Sequence, residues 1–107
     1  MANDGLLSPF VPKRIVRKYS NLDKDFSLSL SDMGTTVAID SPNGFNVKLP
    51  DCRQLKNNVS VEIMNVSSVS LGVLDNAGTL LKTLTSKQST SAWCSVKTTS
   101  AGTWVLT

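Results

Sequence analysis

Apolar and polar residues alternate with a period of two along most of the chain from residue 15 onward. In the segment 26–31, for example, Phe26, Leu28 and Leu30 are separated by serines. Because successive side chains of a strand point to opposite faces, this pattern predicts a half-buried β-strand. The same pattern predicts strands at residues 15–19, 36–39, 45–49, 59–64, 69–74, 79–84, 92–96 and 103–106.

Turn-forming residues separate these segments. The strongest signals are Ser-Pro-Asn-Gly at residues 41–44 and Asp-Asn-Ala-Gly at residues 75–78, and the polar segment 85–91 is predicted to be a loop. Gly72 lies inside a predicted strand, which indicates a bulge or a close approach of two backbones. No segment has the 3.6-residue period of a helix. The sequence therefore predicts an all-β protein, a small antiparallel β-sandwich or jelly-roll-like domain.

Large apolar residues and cysteines refine the expected core. Trp93 and Trp104 lie within apolar strands and are expected to be buried, because large aromatic residues dominate small β cores. Two cysteines, Cys52 and Cys94, are too few to indicate a disulfide framework, and a chain made in the cytoplasm is expected to keep them reduced and partly buried.

Charge divides the chain into two parts. Residues 1–19 carry four basic residues against Asp4 alone, whereas residues 20–107 carry seven basic and seven acidic residues, so the net charge of +3 lies entirely in the N-terminal part. Pro9 and Pro12 exclude a regular helix there. We therefore expect an extended basic and apolar arm at residues 1–19 and a single β domain at residues 20–107; the alternative is an edge strand that folds back on the domain.

The composition offers little to catalysis. The chain has no histidine, and Glu62, predicted to point outward from a strand, is its only glutamate. Paired aspartates such as Asp23 with Asp25 stand in turn sequences, where they normally cap backbone groups. Metal-ligand spacings, phosphate-binding glycine loops, a signal peptide and a membrane-length apolar run do not occur in the sequence. We expect a non-enzymatic protein without metal or cofactor, made in the cytoplasm and not bound to a membrane.

Several short segments between residues 47 and 104 resemble parts of a small β-module of tailed-bacteriophage virion proteins. They are V-K-L-P-D, N-N-V-S-V-E-I-M-N-V-S, L-G-V-L-D-N-A-G-T-L-L and the terminal S-A-G-T-W. The module occurs in capsid decoration (cement) proteins, head fibres and tail fibres, and the resemblance covers residues 47–104. It implies a structural role in the virion and no catalytic residue, and it does not extend to residues 1–20.

The expected function combines this resemblance with the arm. A chain that is almost entirely one module suits a capsid decoration or short head-fibre protein in the virion, whose arm binds the major capsid protein or another virion protein. A homo-oligomer is possible. Apolar residues of the arm would anchor it and basic ones would pair with carboxylates; these partner-binding residues are Leu6, Leu7, Phe10, Val11, Lys13, Arg14, Arg17 and Lys18.

Two alternatives use other residues or another partner. A host-recognition fibre would bind carbohydrate by stacking it on Trp93 or Trp104. A single-stranded nucleic-acid-binding protein would use the basic arm, although the neutral charge of residues 20–107 argues against nucleic acid as the partner.

Overall fold

The computed structural model of the protein describes residues 15–55, 59–95 and 103–107. The strands are β1 Val16–Ser20, β2 Phe26–Ser27, β3 Thr36–Asp40, β4 Val47–Lys48, β5 Ser60–Asn65, β6 Leu71–Leu74, β7 Leu80–Leu84, β8 Ser89–Ser95 and β9 Thr103–Leu106. Two 3₁₀ turns, Leu30–Asp32 and Cys52–Gln54, follow β2 and β4. Within the described part of the chain the structure is all-β, as the alternation of apolar and polar residues predicted.

The strands form two sheets. The five-stranded sheet has the order β1-β3-β5-β8-β9, and the four-stranded sheet has the order β2-β4-β6-β7. Four pairings are parallel, namely β1 with β3, β3 with β5, β2 with β4 and β4 with β6; three are antiparallel. The expectation of antiparallel pairing was therefore wrong for all four pairings among the first six strands, whereas β5 with β8, β6 with β7 and β8 with β9 are antiparallel.

The parallel pairing follows from how the chain moves between the sheets. From β1 to β6 each strand lies in the sheet opposite to that of its predecessor. A parallel pair needs a crossover connection, and helices usually provide it. Here the crossover between β1 and β3 is β2 of the other sheet, and the crossover between β2 and β4 is β3. The two sheets thus supply each other's connections.

One hydrophobic core takes its residues from both sheets. Its buried members are Leu28, Val37, Ile39, Val47, Leu49, Cys52, Val61, Ile63, Leu71, Val73, Leu84, Ala92 and Trp104. Trp104 is 9% exposed, and its indole Nε1 donates to the carbonyl oxygen of Pro50 at 2.8 Å. Trp93 is 37% exposed, so the expectation that it is buried was wrong. It lies between Ala92 and Cys94, which face inward, and the alternation along β8 therefore turns it outward.

Cys52 and Cys94 form a disulfide, with their Cα atoms 5.7 Å apart, which corrects the expectation of reduced thiols. Cys52 begins the 3₁₀ turn after β4, and Cys94 lies in β8. The bond therefore links the end of a strand of the four-stranded sheet to the five-stranded sheet. It closes a long segment, since the two cysteines are 42 residues apart in sequence.

A buried polar network lies where the chain leaves β3 and β5. The Asn65 side-chain amide donates to the carbonyl oxygens of Val69 at 2.8 Å, Leu84 at 3.0 Å and Thr85 at 3.2 Å, and its Oδ1 accepts the amide N–H of Ser67 at 2.9 Å. The Ser67 hydroxyl in turn accepts the amide N–H of Ser41 at 2.6 Å. These bonds tie the ends of β3, β5 and β7 to one another and satisfy backbone polar groups of the turns there.

Some strand boundaries differ from the predicted ones. The segment 26–31 is a strand only at Phe26–Ser27, because Leu30–Asp32 forms a 3₁₀ turn that leaves Leu30 exposed. The predicted loop 85–91 ends early, since β8 begins at Ser89. Near Gly72 the structure has a close approach and a bulge. A Cβ added to Gly72 would lie 2.7 Å from the Asn46 side-chain oxygen, and the pairing register of β6 with β7 shifts between Val73 and Leu74.

Candidate attachment site

Strand β1 forms one edge of the five-stranded sheet. It contains residues 16–19 of the predicted arm, so these residues belong to the domain as an edge strand, which was the alternative for this segment. It pairs in parallel with β3, Arg17 opposite Val37 and Tyr19 opposite Ile39. Because paired residues share a face of the sheet, Arg17 and Tyr19 lie on the side of the buried core. Tyr19 packs against that core, and its ring centroid is 4.5 Å from that of Phe26.

The other residues at this edge face outward. Ile15 is 64% exposed and Val16 is 65% exposed, while Lys18 lies on the outer face opposite Ala38. Two large aliphatic side chains and one lysine thus stand open to solvent at the point where the arm joins the domain. Exposed aliphatic residues of this kind become favourable when a partner covers them, at about 25 cal/mol per Å² of apolar surface removed from water.

Asp32 fixes the position of β1 on the domain. Its side chain is 1% exposed, and Oδ1 accepts the Tyr19 hydroxyl at 2.7 Å and Arg17 Nη1 at 3.4 Å. Oδ2 accepts the amide N–H of Ser29 at 2.9 Å and the Ser29 hydroxyl at 3.2 Å. We call Arg17, Tyr19, Ser29 and Asp32 the Asp32 cluster. It bonds the edge strand to the turn that precedes β3.

The surroundings of Asp32 favour its charged form. Burial alone would raise the pKa of the carboxyl, but the hydrogen bonds from Tyr19 and Ser29 and the charge of Arg17 outweigh burial and hold the pKa below its usual value. The same bond to Asp32 is the main cause that raises the pKa of the Tyr19 phenol. The carboxylate therefore remains ionised, and the phenol protonated, at neutral pH.

This pKa shift predicts an acid-sensitive contribution to stability. The unfolded chain takes up the Asp32 proton near pH ~3.9, before the folded chain does, so the contribution is complete above that pH and is lost as the pH falls through the lower folded value. We expect Asp32→Asn to lower the urea midpoint at neutral pH and to flatten its decline between about pH 4 and pH 2. Exposed Asp23→Asn is the control and should behave as wild type. An equal acid decline in wild type and Asp32→Asn would contradict the role of this carboxylate.

Only two of the sequence-predicted partner-binding residues lie in the described part of the chain. Arg17 is already bonded within the domain, to Asp32 and to the Ser31 hydroxyl at 3.3 Å, whereas Lys18 faces solvent. The other predicted residues are Leu6, Leu7, Phe10, Val11, Lys13 and Arg14, and they lie outside the described residues. The structure thus brings Arg17 together with an internal carboxylate, a pairing that the sequence did not indicate.

Sequence reasoning also missed Tyr19 and Asp32 as parts of this site. In the sequence, Tyr19 is the last residue of the predicted arm, and Asp32 directly follows the segment 26–31 that is predicted to be a strand. A signal for Asp32 existed in Ser29-Leu30-Ser31-Asp32, since a hydroxyl residue three positions before an acidic one can form a reciprocal cap. Nothing in the sequence indicated that the Tyr19 hydroxyl would reach the same carboxylate.

Residues 15–55, 59–95 and 103–107 contain no group of three or more His, Cys, Asp or Glu side chains arranged to hold a metal ion. Within these ranges no helix has the length and apolar character needed to cross a membrane.

Comparison with known proteins does not supply a function. No family model, curated protein or solved structure matches the chain.

Proposed function

We propose that this chain is a bacteriophage virion structural protein, a capsid decoration (cement) or short head-fibre protein, that attaches to the capsid by its N-terminal arm. The observation that carries the proposal is the edge strand β1, which the Asp32 cluster bonds to the domain and which has the exposed residues Ile15 and Val16 at its N-terminal end. The resemblance of residues 47–104 to a virion β-module adds the class of assembly.

The geometry at β1 suits attachment of the domain through the arm. An arm that leaves from a strand paired over five residues pulls on a ladder of backbone hydrogen bonds and on the side-chain bonds of Arg17 and Tyr19 to Asp32. Tension in the arm would therefore act on β3 and on the turn that contains Asp32. The basic residues of the predicted arm other than Arg17, namely Lys13, Arg14 and Lys18, would then pair with carboxylates of the capsid surface.

The disulfide supports a location outside a reducing cytoplasm. Disulfides persist in oxidising environments, among which virion surfaces are included, and are rare in cytosolic proteins. A protein made in the host cytoplasm and then carried on the outside of a released particle would meet such an environment. The bond between Cys52 and Cys94 fits that sequence of events better than a permanent place in the cytoplasm.

The partner we propose is the major capsid protein, present in many copies. Each arm then needs only a modest affinity, because a subunit that forms a homo-oligomer engages several sites at once. For the domain itself we infer a β-sandwich rather than a jelly roll. The shared core of the two sheets supports face-to-face packing, and the four parallel pairings do not fit the antiparallel strands of a jelly roll.

Removal of residues 1–14 tests the attachment directly. We expect this variant to fold with the stability of the full chain, because β1 and the Asp32 cluster remain, and to lose binding to phage particles that lack the protein. The measurement is co-sedimentation with such particles, prepared from a deletion mutant of the phage whose genome encodes the chain, together with a urea unfolding curve.

Removal of residues 1–20 is the matched control for stability. It also deletes β1 and leaves the Asp32 carboxylate without Tyr19 and Arg17, so we expect a loss of at least about 2 kcal/mol. If the variant without residues 1–14 sediments with the particles as completely as the full chain does, attachment by the arm is refuted.

A further inference from the structure

Two carboxylates lie at the same end of the four-stranded sheet. Asp51 follows β4 and Asp75 follows β6, and these strands are parallel, with the Leu49 amide N–H donating to the Leu74 carbonyl at 2.8 Å. The carboxyl ends of parallel neighbours meet at one edge of a sheet, where ligands of open sheets bind. A cavity of about 240 Å³ opens there, and Thr103 and Trp104 of β9 complete its wall.

The cavity presents both an acceptor and a donor without an internal partner. Oδ1 of Asp75 accepts the amide N–H groups of Ala77 at 2.9 Å and Thr79 at 2.8 Å, which fixes the side chain, while Oδ2 has no hydrogen-bond partner among the described residues. Arg53 binds Asp51 through Nε at 3.0 Å and Nη2 at 2.6 Å. Its Nη1 has no partner in the described part of the chain.

Beside the polar residues Asn76 and Thr103, the remaining wall has an apolar part that is held in place. The Trp104 ring is fixed by its bond to the Pro50 carbonyl, and half-buried Leu81 lies on the same wall. Cys52 also lines the cavity, and its disulfide partner Cys94 is paired with Trp104 across β8 and β9. The site is therefore preorganised, which reduces the entropy lost when a ligand binds.

Charge narrows the class of ligand. Arg53 and Asp51 neutralise each other, so Asp75 leaves a single negative charge, which disfavours anions. A ligand with several hydroxyl groups and an apolar ring face satisfies the free acceptor, the free donor and the apolar wall together. We propose that this cavity binds one neutral monosaccharide ring, such as the terminal hexose of a glycan.

Sheet order keeps this site apart from the attachment site. The cavity lies at β9 and the arm at β1, and these strands are the two opposite edges of the five-stranded sheet. A subunit held by its arm at β1 would leave the cavity open to other ligands. Saccharide binding is a function beyond attachment, and its test on the isolated protein needs no phage particle.

The test is a titration of the isotope-labelled full chain with glucose, galactose, mannose and N-acetylglucosamine, followed by amide chemical shifts in NMR spectra. We expect one of these sugars to change the chemical shifts of the amide N–H groups of Asp75, Asn76 and Thr103 and of the Trp104 indole N–H. The dependence of these shifts on sugar concentration should give a Kd in the millimolar range. Asp75→Asn keeps Oδ1 for the turn and replaces the free acceptor with a donor, so it should weaken binding about tenfold. Arg53→Gln, at an exposed position, is a second variant with the same expected direction.

Two controls make the assignment specific. Trp93→Phe alters the outward indole of β8, outside the cavity, and should leave the affinity unchanged. Glycerol at the same concentration offers hydroxyls without a ring and should produce no comparable shifts. Absence of shifts with all four sugars, equal shifts with glycerol, or loss of binding in Trp93→Phe while Asp75→Asn binds normally would each overturn the proposal.

Discussion

Loss of the disulfide between Cys52 and Cys94 is expected to lower the free energy of unfolding by about 4 kcal/mol. The reason is that the bond closes a long loop and so reduces the number of conformations accessible to the unfolded chain. Domains of this size have a total stability of roughly 5–15 kcal/mol, so this would be a large fraction of the whole. The measurement is the urea midpoint of the wild type with and without a thiol reductant.

A double variant, Cys52→Ala with Cys94→Ala, provides the matched control. Its free energy of unfolding should equal that of the reduced wild type to within about 1 kcal/mol. The small difference is expected because Cys52 is buried and the smaller alanine side chain adds a modest packing loss. The reductant should have no effect on it. An unchanged wild-type midpoint after complete reduction would show that the bond contributes no stability.

The second large effect is expected at Asn65. Replacement by alanine removes a side chain that is 1% exposed, together with its hydrogen bonds to the amide N–H of Ser67 and to the carbonyl oxygens of Val69 and Leu84. Each buried polar group left unsatisfied costs about 1–3 kcal/mol, so we expect a loss of about 4 kcal/mol in the free energy of unfolding. Chemical unfolding at neutral pH measures it.

Ser68→Ala is the matched control for Asn65→Ala. Ser68 lies in the same connection between β5 and β6 but is exposed, and its replacement should change the stability by less than about 0.5 kcal/mol. If Asn65→Ala and Ser68→Ala lost similar amounts of the free energy of unfolding, the hydrogen bonds of Asn65 would not be the cause of the loss.

The positions of most strands could be predicted from the sequence because alternation is a local property. Val61 and Ile63 face the core as their spacing indicated, and Glu62 lies on the opposite face, where it accepts the Thr36 hydroxyl at 2.9 Å. Strand partners are not local. The parallel pairing of β1 with β3 depends on β2 entering the other sheet, and nothing in the periodicity of a single strand states which sheet it joins.

Two errors came from general expectations that replaced the local pattern. The size of Trp93 suggested burial, although its neighbours Ala92 and Cys94 indicated by parity that it faces outward. The cysteines were expected to remain reduced because no secretory signal was present, and sequence spacing cannot reveal that their Cα atoms lie 5.7 Å apart.

The candidate sites were only partly visible in the sequence. The uneven charge along the sequence predicted Arg17 and Lys18 as partner-binding residues. The bonds of Arg17 and Tyr19 to Asp32 could not be predicted in this way, because they depend on the pairing of β1 with β3. Asp51 and Asp75 each lie just after a segment that the sequence predicts to be a strand, residues 45–49 and residues 69–74. Their convergence on one cavity required the parallel pairing of β4 and β6, which the expectation of antiparallel strands excluded.

An electron cryomicroscopy map of the particle with the full-length protein bound tests attachment most directly. The account predicts density for residues 1–14 that continues from the exposed end of β1 along the capsid surface, with β1 nearer the shell than β9. Particles given the variant without residues 1–14 should show no such subunit. A map in which the β domain itself makes the capsid contacts, while the residues before β1 extend into solvent, would contradict it.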